Sequence, residues 1–214
     1  MALGGRPTPL VLATRNPGKV AEFARLLAPY PWQLLDLDAA GVSGELAEPG
    51  PGYAENAAAK ADAVCAMSGL CALGDDSGIE VIALRGWPGP HSARWRPGSD
   101  ADRLEGLLLK VAECCPGDRR ARYVAAVALA RPGGAPALVA MGNCRGRLVV
   151  PRGRGGFGYD PGFLSDDLGR TFGEVATPEK DAVSHRARAV AELAAQGALG
   201  PRAASRGAGP PPTA

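Results

Sequence analysis

Two adjacent carboxylates stand at the centre of Gly74-Asp75-Asp76-Ser77-Gly78. The apolar run Leu70-Cys71-Ala72-Leu73 leads into them, and a second, Ile79 to Leu84, leads out. An apolar run bounded by glycine predicts a short strand, and the Gly-flanked polar residues after it predict a turn. Paired carboxylates on such a turn suit a hard cation such as Mg²⁺, which takes oxygen ligands and is held by one or two carboxylates together with substrate phosphates. Asp, Ser and Gly also make ordinary exposed turns, so the segment alone leaves both readings open.

Other segments carry complementary chemistry. Thr14-Arg15-Asn16-Pro17-Gly18-Lys19 follows a short apolar run and precedes residues at helical spacing. It therefore lies where a helix start presents free N–H groups, a natural anion site to which Lys19 adds a point charge. It is not a Walker A loop. Glu45 and Glu48 lie in an acidic Pro/Gly-rich loop, and Lys60 lies in an Ala-rich helical stretch with Glu55 and Asn56. In Gly153 to Phe163, closely spaced glycines permit a ring or phosphate to approach the backbone, and Phe157 and Tyr159 could stack on a flat base. Lys180, Ser184, His185 and Arg186 fall on one or adjacent faces of a final helix.

The elements that must position these groups follow from periodicity. Pro9 to Ala13 predicts a first strand, and Val20, Phe23, Ala24, Leu26 and Leu27 a helix after it. Trp32 to Leu37 predicts a second strand, and Tyr53 to Met67 a helix. Asp102 to Cys115 is amphipathic, with Leu104, Leu107, Leu108 and Val111 on one side. Strands are expected at Arg122 to Ala130, Leu138 to Cys144 and Arg147 to Val150, with a bend or hairpin at Gly146. Thr177 as N-cap and Pro178 after it open one helix running to about Leu199. The reading is a mixed α/β fold with a central sheet and a cleft.

Length and composition narrow the function classes. The chain has 214 residues and a net charge of +2, so charge indicates neither a nucleic-acid binder nor a membrane-surface protein. No apolar run approaches a membrane span. Met1 to Pro9 shows no charged-then-apolar leader pattern, and the five cysteines are odd in number without a C-x-x-C, so reduced thiols in the cytoplasm are expected. Two histidines, His91 and His185, weaken any zinc site. Residues 1–200 are expected to form a single domain, with 201–214 a disordered Pro/Gly/Ala-rich tail.

Taken together the segments resemble the inosine triphosphate pyrophosphatase family, the Ham1-like non-canonical purine NTP pyrophosphatases. The matching residues are Thr14, Asn16 and Lys19; Glu55-Asn56-Ala57 with Lys60-Ala61; Asp75 to Val81; Gly86 to Arg94; Gly155 to Pro161; and Lys180 with Ser184-His185-Arg186. The match runs from about Leu10 to Leu199. The resemblance implies an elongated mixed sheet with flanking helices, forming two lobes around an active-site cleft, and a homodimer. It implies Mg²⁺-dependent hydrolysis of ITP, dITP or XTP between the α and β phosphates, clearing deaminated purines. It implies roles too. Asp76 would be the general base and a metal ligand, with Asp75 beside it. Glu48 would be a second metal ligand, with Glu45 as the substitute. Thr14, Arg15, Asn16, Pro17, Gly18, Lys19 and Lys60 would hold the triphosphate, and Ser77 would touch substrate. Phe157, Gly158, Tyr159 and Asp160 would frame the base, and Lys180, His185 and Arg186 would complete the pocket, with Arg186 or the backbone near it aimed at the purine O6. Two alternatives remain at this level: a pyrophosphatase for modified pyrimidine nucleotides, as in Maf-type proteins, and a nucleotide- or RNA-binding module supported only by Arg202 and Arg206.

Overall fold

The computed structural model describes residues 7–201; the expected tail, apart from Pro201, lies outside the described residues. Six strands form one mixed sheet in the order β2-β1-β3-β4-β5-β6. They are β1 (Thr8–Leu12), β2 (Trp32–Leu35), β3 (Cys71–Val81), β4 (Arg120–Ala130), β5 (Leu138–Leu148) and β6 (Phe163–Ser165). The helices are α1 (Pro17–Leu27), α2 (Tyr53–Ser68), α3 (Asp100–Cys114), α4 (Thr177–Val183) and α5 (His185–Ala195). β1 runs parallel to both β2 and β3, and the remaining pairs are antiparallel.

The parallel start of the sheet sets the geometry of the site. β1 leads through α1 to β2 on one side of it, and β2 leads through α2 to β3 on the other. The two helices cover opposite faces. Phe23 and Leu27 of α1, with Val190 and Leu193 of α5, pack on Leu73, Ala125 and Val127. Tyr53, Ala57, Ala61 and Val64 of α2 pack on Ala72, Ala126 and Ala128. In open α/β sheets this arrangement leaves a crevice beyond the carboxyl end of the strand where the order reverses, here β1. A third cluster lies farther along the α1/α5 face, where Leu104, Leu107 and Val111 of α3 meet Ile79, Tyr123, Phe163 and Phe172. Ile79, Tyr123 and Tyr159 of this third cluster also line a pocket on that face.

Four local expectations are corrected. Asp75 and Asp76 are not on a turn: β3 runs unbroken through them, paired residue by residue with β4 from Ala72↔Ala130 to Val81↔Ala121. The glycines around them serve close packing. A Cβ on Gly74 would stand 2.1 Å from the Ala57 carbonyl of α2, and one on Gly78 would stand 2.1 Å from the Gly89 carbonyl. Likewise β5 is continuous through Gly146, which lets the chain pass the Leu164 carbonyl of the neighbouring strand, 2.3 Å from where a Cβ would stand. The final helix is two helices. α4 ends at Ser184, whose extended backbone turns the chain and whose Oγ accepts from the Ala187 N–H to cap α5. Thr177 is the first residue of α4 rather than its N-cap, which is Ala176.

Candidate active site

The site is assembled where β3 passes the end of β1. Side chains alternate along a strand, so Asp75 and Asp76 leave opposite faces of the sheet. Asp75 faces α1 and α5. Its Oδ2 lies 2.7 Å from Lys19 Nζ, and its Oδ1 accepts from Arg186 Nε at 3.2 Å. Asp76 faces α2. Asn56 Nδ2 donates to its Oδ2 at 3.1 Å, and Lys60 Nζ lies 3.3 Å from its Oδ1. Both carboxylates are nearly inaccessible, 2% and 4% exposed.

Their surroundings drive their acidities apart. Burial alone would raise Asp75, but the adjacent Arg186 and Lys19 outweigh it and hold that carboxyl far below its usual range. Burial dominates at Asp76 and raises it, with Lys60 and Asn56 compensating only in part. One carboxylate is thus locked as a permanent anion, while the other has the higher proton affinity a base requires.

Behind Asp75 lies a buried charge network absent from the sequence reading. Glu22 of α1, 1% exposed, accepts from Arg186 Nη1 at 3.1 Å and from Ser184 Oγ at 3.1 Å, and lies 3.9 Å from Lys180 Nζ. Arg186 Nη2 donates to Ser77 Oγ at 2.6 Å, and Ser77 Oγ donates to Asp75 Oδ2 at 3.1 Å. Glu22 carried a legible signal: it falls on the apolar stripe of α1 with Phe23, Leu26 and Leu27, where an unpaired charge is not tolerated.

The Thr14–Lys19 segment behaves as a helix-start loop. Asn16 Oδ1 caps α1 by accepting from the Lys19 N–H at 3.1 Å, Thr14 Oγ1 accepts from the Asn16 N–H at 3.2 Å, and Pro17 takes the first helical position. Gly18 is required by its neighbour, since a Cβ there would meet the Phe157 ring at 2.7 Å. Arg15 is not brought to the carboxylates; it pairs with Asp38 at 2.7 Å and donates to the Val42 carbonyl.

The Gly-rich loop forms the opposite wall. Asp160 Oδ2 accepts from the Phe157 N–H at 2.8 Å and from Lys180 Nζ at 2.6 Å, and the Gly158 N–H donates to Asp100 Oδ2 at 2.8 Å. Lys180 lies 4.8 Å and the Arg186 guanidinium 5.4 Å from the Phe157 ring centre. Tyr159, which lines the pocket on this face, donates its hydroxyl to the Ser92 carbonyl at 2.6 Å. His185 is buried, and burial, then Arg186 and Lys180, push its pKa well below the usual value. Asn16, Lys19, Ser77, Phe157, His185 and Arg186 all line one open pocket between these walls.

A cation would find hard donors on the α2 side. Glu48 joins Lys60 through Oε1 and Arg94 through Oε2, so the Glu48 and Asp76 carboxylates converge on a single ammonium. Two carboxylates sharing one point of positive charge fit Mg²⁺, which draws the rest of its shell from water and phosphate. Glu45 is exposed and outside this cluster. Asp75 is outside it too, and the described residues contain no group of three or more Asp, Glu, His or Cys placed to hold a metal.

Comparison with known proteins identifies the family. The Ham1 family model matches residues 10–196. A dITP/XTP pyrophosphatase of Symbiobacterium thermophilum is 51% identical over 85% of this chain and 91% of its own length. One from Deinococcus radiodurans is 46% identical over 88% and 93%. Among solved structures, a HAM1 protein from Coxiella burnetii superposes with a TM-score of 0.79 at 34% identity, covering 88% of this chain and 98% of that one. A nucleoside-triphosphatase/dITP/XTP pyrophosphatase from Mycobacterium abscessus gives 0.69 at 39%, covering 86% and 98%. With the family model spanning nearly all of the described residues, the chain belongs to the Ham1 family.

Proposed function

We propose that the chain, acting as one domain to about residue 200, is a cytoplasmic, homodimeric, Mg²⁺-dependent pyrophosphatase. It converts ITP, dITP and XTP to the monophosphate and pyrophosphate and so removes deaminated purines from the nucleotide pool. The observation that carries this reading is the division of labour between Asp75 and Asp76, each paired with cationic groups on its own face of β3. The names carried by its relatives support the same reaction.

Asp76 takes the proton of the attacking water, held in orientation by Asn56. Glu48 and Asp76 would hold Mg²⁺, which supplies positive charge to the phosphate oxygens of the substrate. Lys19, Lys60 and the free N–H groups at the start of α1 bind the triphosphate. Arg15 contributes through its backbone, its side chain being engaged by Asp38. Ser77 touches substrate, and Phe157 to Asp160 frame the base. Lys180, His185 and Arg186 close the pocket. The Asp75 and Glu22 carboxylates orient Arg186, and its Nη1 and Nη2 each keep one N–H for an acceptor such as a 6-oxo group. A 6-amino purine leaves such a donor unpaired, which is the physical basis for rejecting it.

The deciding experiment measures pyrophosphate release from ITP, XTP, dITP, ATP and GTP with Mg²⁺, beside Asp76→Asn. Release from ITP and XTP far above ATP and GTP, lost in the variant, is expected. No release from any purine triphosphate would overturn the reading.

A further inference from the structure

Tyr123 lies in the middle of β4, flanked in register by Ile79 of β3 and Cys144 of β5. Its periodicity marks it as a core strand residue, and it is 6% exposed. Two of its contacts go beyond packing. Its hydroxyl donates to Asp160 Oδ1 at 3.1 Å, and its ring stacks on His185 with centres 4.6 Å apart and planes 8° apart.

We propose that Tyr123 is a positioning residue for base recognition, fixing Asp160 through its hydroxyl and the plane of His185 through its ring. The inference rests on the reading of Phe157–Asp160 and His185 as the base pocket.

Asp160 is the node of the Gly-rich loop. Its Oδ2 is occupied by the Phe157 N–H and Lys180, so the Tyr123 hydroxyl is what holds Oδ1. The carboxylate is 2% exposed, so water cannot replace a lost donor. The loop folds tightly over it: Gly156 has φ +71, and a Cβ there would stand 2.0 Å from Asp160 Oδ2. Rotation of the Asp160 carboxylate therefore moves Phe157, whose ring spans Gly18 and the cations of Lys180 and Arg186. At His185, Nδ1 is buried without a hydrogen-bond partner, so packing against Tyr123 sets the ring plane. Parallel stacking at this distance restrains tilt without donating or accepting a bond.

The test is steady-state kinetics with ITP and GTP on the wild type, Tyr123→Phe and Tyr123→Leu, with thermal unfolding of each. Tyr123→Phe keeps the stack and loses the hydroxyl. Its KM for ITP is expected to rise on the order of tenfold, the scale of one lost hydrogen bond to a buried charge, with kcat within about twofold and ITP-over-GTP preference reduced. Tyr123→Leu loses both contacts, and its preference should fall further, with Phe restoring part of it. A lowered Tm with unchanged KM and preference in Tyr123→Phe would overturn the proposal, as would a fall in kcat at constant KM. Wild-type inactivity on every purine triphosphate would refute the functional reading itself. Calorimetric titration with IMP and GMP needs no turnover, and equal Kd values in wild type and Tyr123→Phe would then overturn the role of Tyr123 as well.

Discussion

Asp75 and Asp76 are consecutive residues whose carboxylates leave opposite faces of β3, one bound to Lys19 and Arg186 and the other to Asn56 and Lys60. At this point β3 has already run past Leu73, its last residue paired with β1. The pair therefore works as two differently tuned groups rather than as one two-pronged ligand.

This separation predicts opposite phenotypes. Asp75→Asn leaves Arg186 buried without its main counter-charge and should cost about 3–5 kcal/mol of stability. Asp76→Asn removes a charge that burial already disfavours, so its Tm should stay at or above wild type while turnover falls by about 10²–10⁴. Thermal unfolding and pyrophosphate release on both variants decide it; equal losses of Tm would contradict the assignment.

The close approach of α2 at Gly74 predicts a packing penalty. Gly74→Ala places a Cβ 2.1 Å from the Ala57 carbonyl, so α2 must shift, at about 1–3 kcal/mol. Gly117→Ala, with no atom within 4 Å of its Cβ, is the control and should be near neutral. Urea unfolding midpoints compare them, and a harmless Gly74→Ala would refute the packing account.

His185 predicts an acid-sensitive fold. Its pKa is well below the 6.5 or so of an unfolded chain, so above that pH the ring is neutral in both states. As pH falls below about 6.5 the unfolded chain takes up a proton that the folded chain refuses, and stability drops. Tm should therefore decline between pH 7 and 5 more steeply in wild type than in His185→Gln. Parallel declines would show that His185 does not titrate in this way.

The proposed cation site predicts a difference between two nearby glutamates. Glu48→Gln should raise the Mg²⁺ concentration for half-maximal activity by about tenfold or more, while exposed Glu45→Gln should leave it unchanged. A Mg²⁺ titration after removing metal with EDTA reads this directly. The reverse ranking would move the site to Glu45.

Much of the protein was determined locally and so could be read from the sequence. Asn16-Pro17 starts a helix because an amide side chain caps free N–H groups and proline has none to lose. The run from Tyr53 forms a helix because alanine loses little entropy there. The expected roles of Lys19, Lys60, Phe157, Lys180 and Arg186 came from the family resemblance of the motifs that carry them. Packing across the sequence decided the rest. Gly74 and Gly78 have the sequence signature of a turn, yet they lie within a strand because backbone from α2 and from the Gly89 region presses on them. Gly146 is the same case on β5, and Ser184 splits a helical pattern because its hydroxyl both caps α5 and donates to Glu22. The pairing of Glu48 with Lys60 while Glu45 stays exposed, the burial of Glu22 and the opposed directions of Asp75 and Asp76 depend on which elements meet across the sheet. Neighbours in the chain do not encode those contacts; only the assembled α1, α2, β3 and α5 bring them within hydrogen-bond distance.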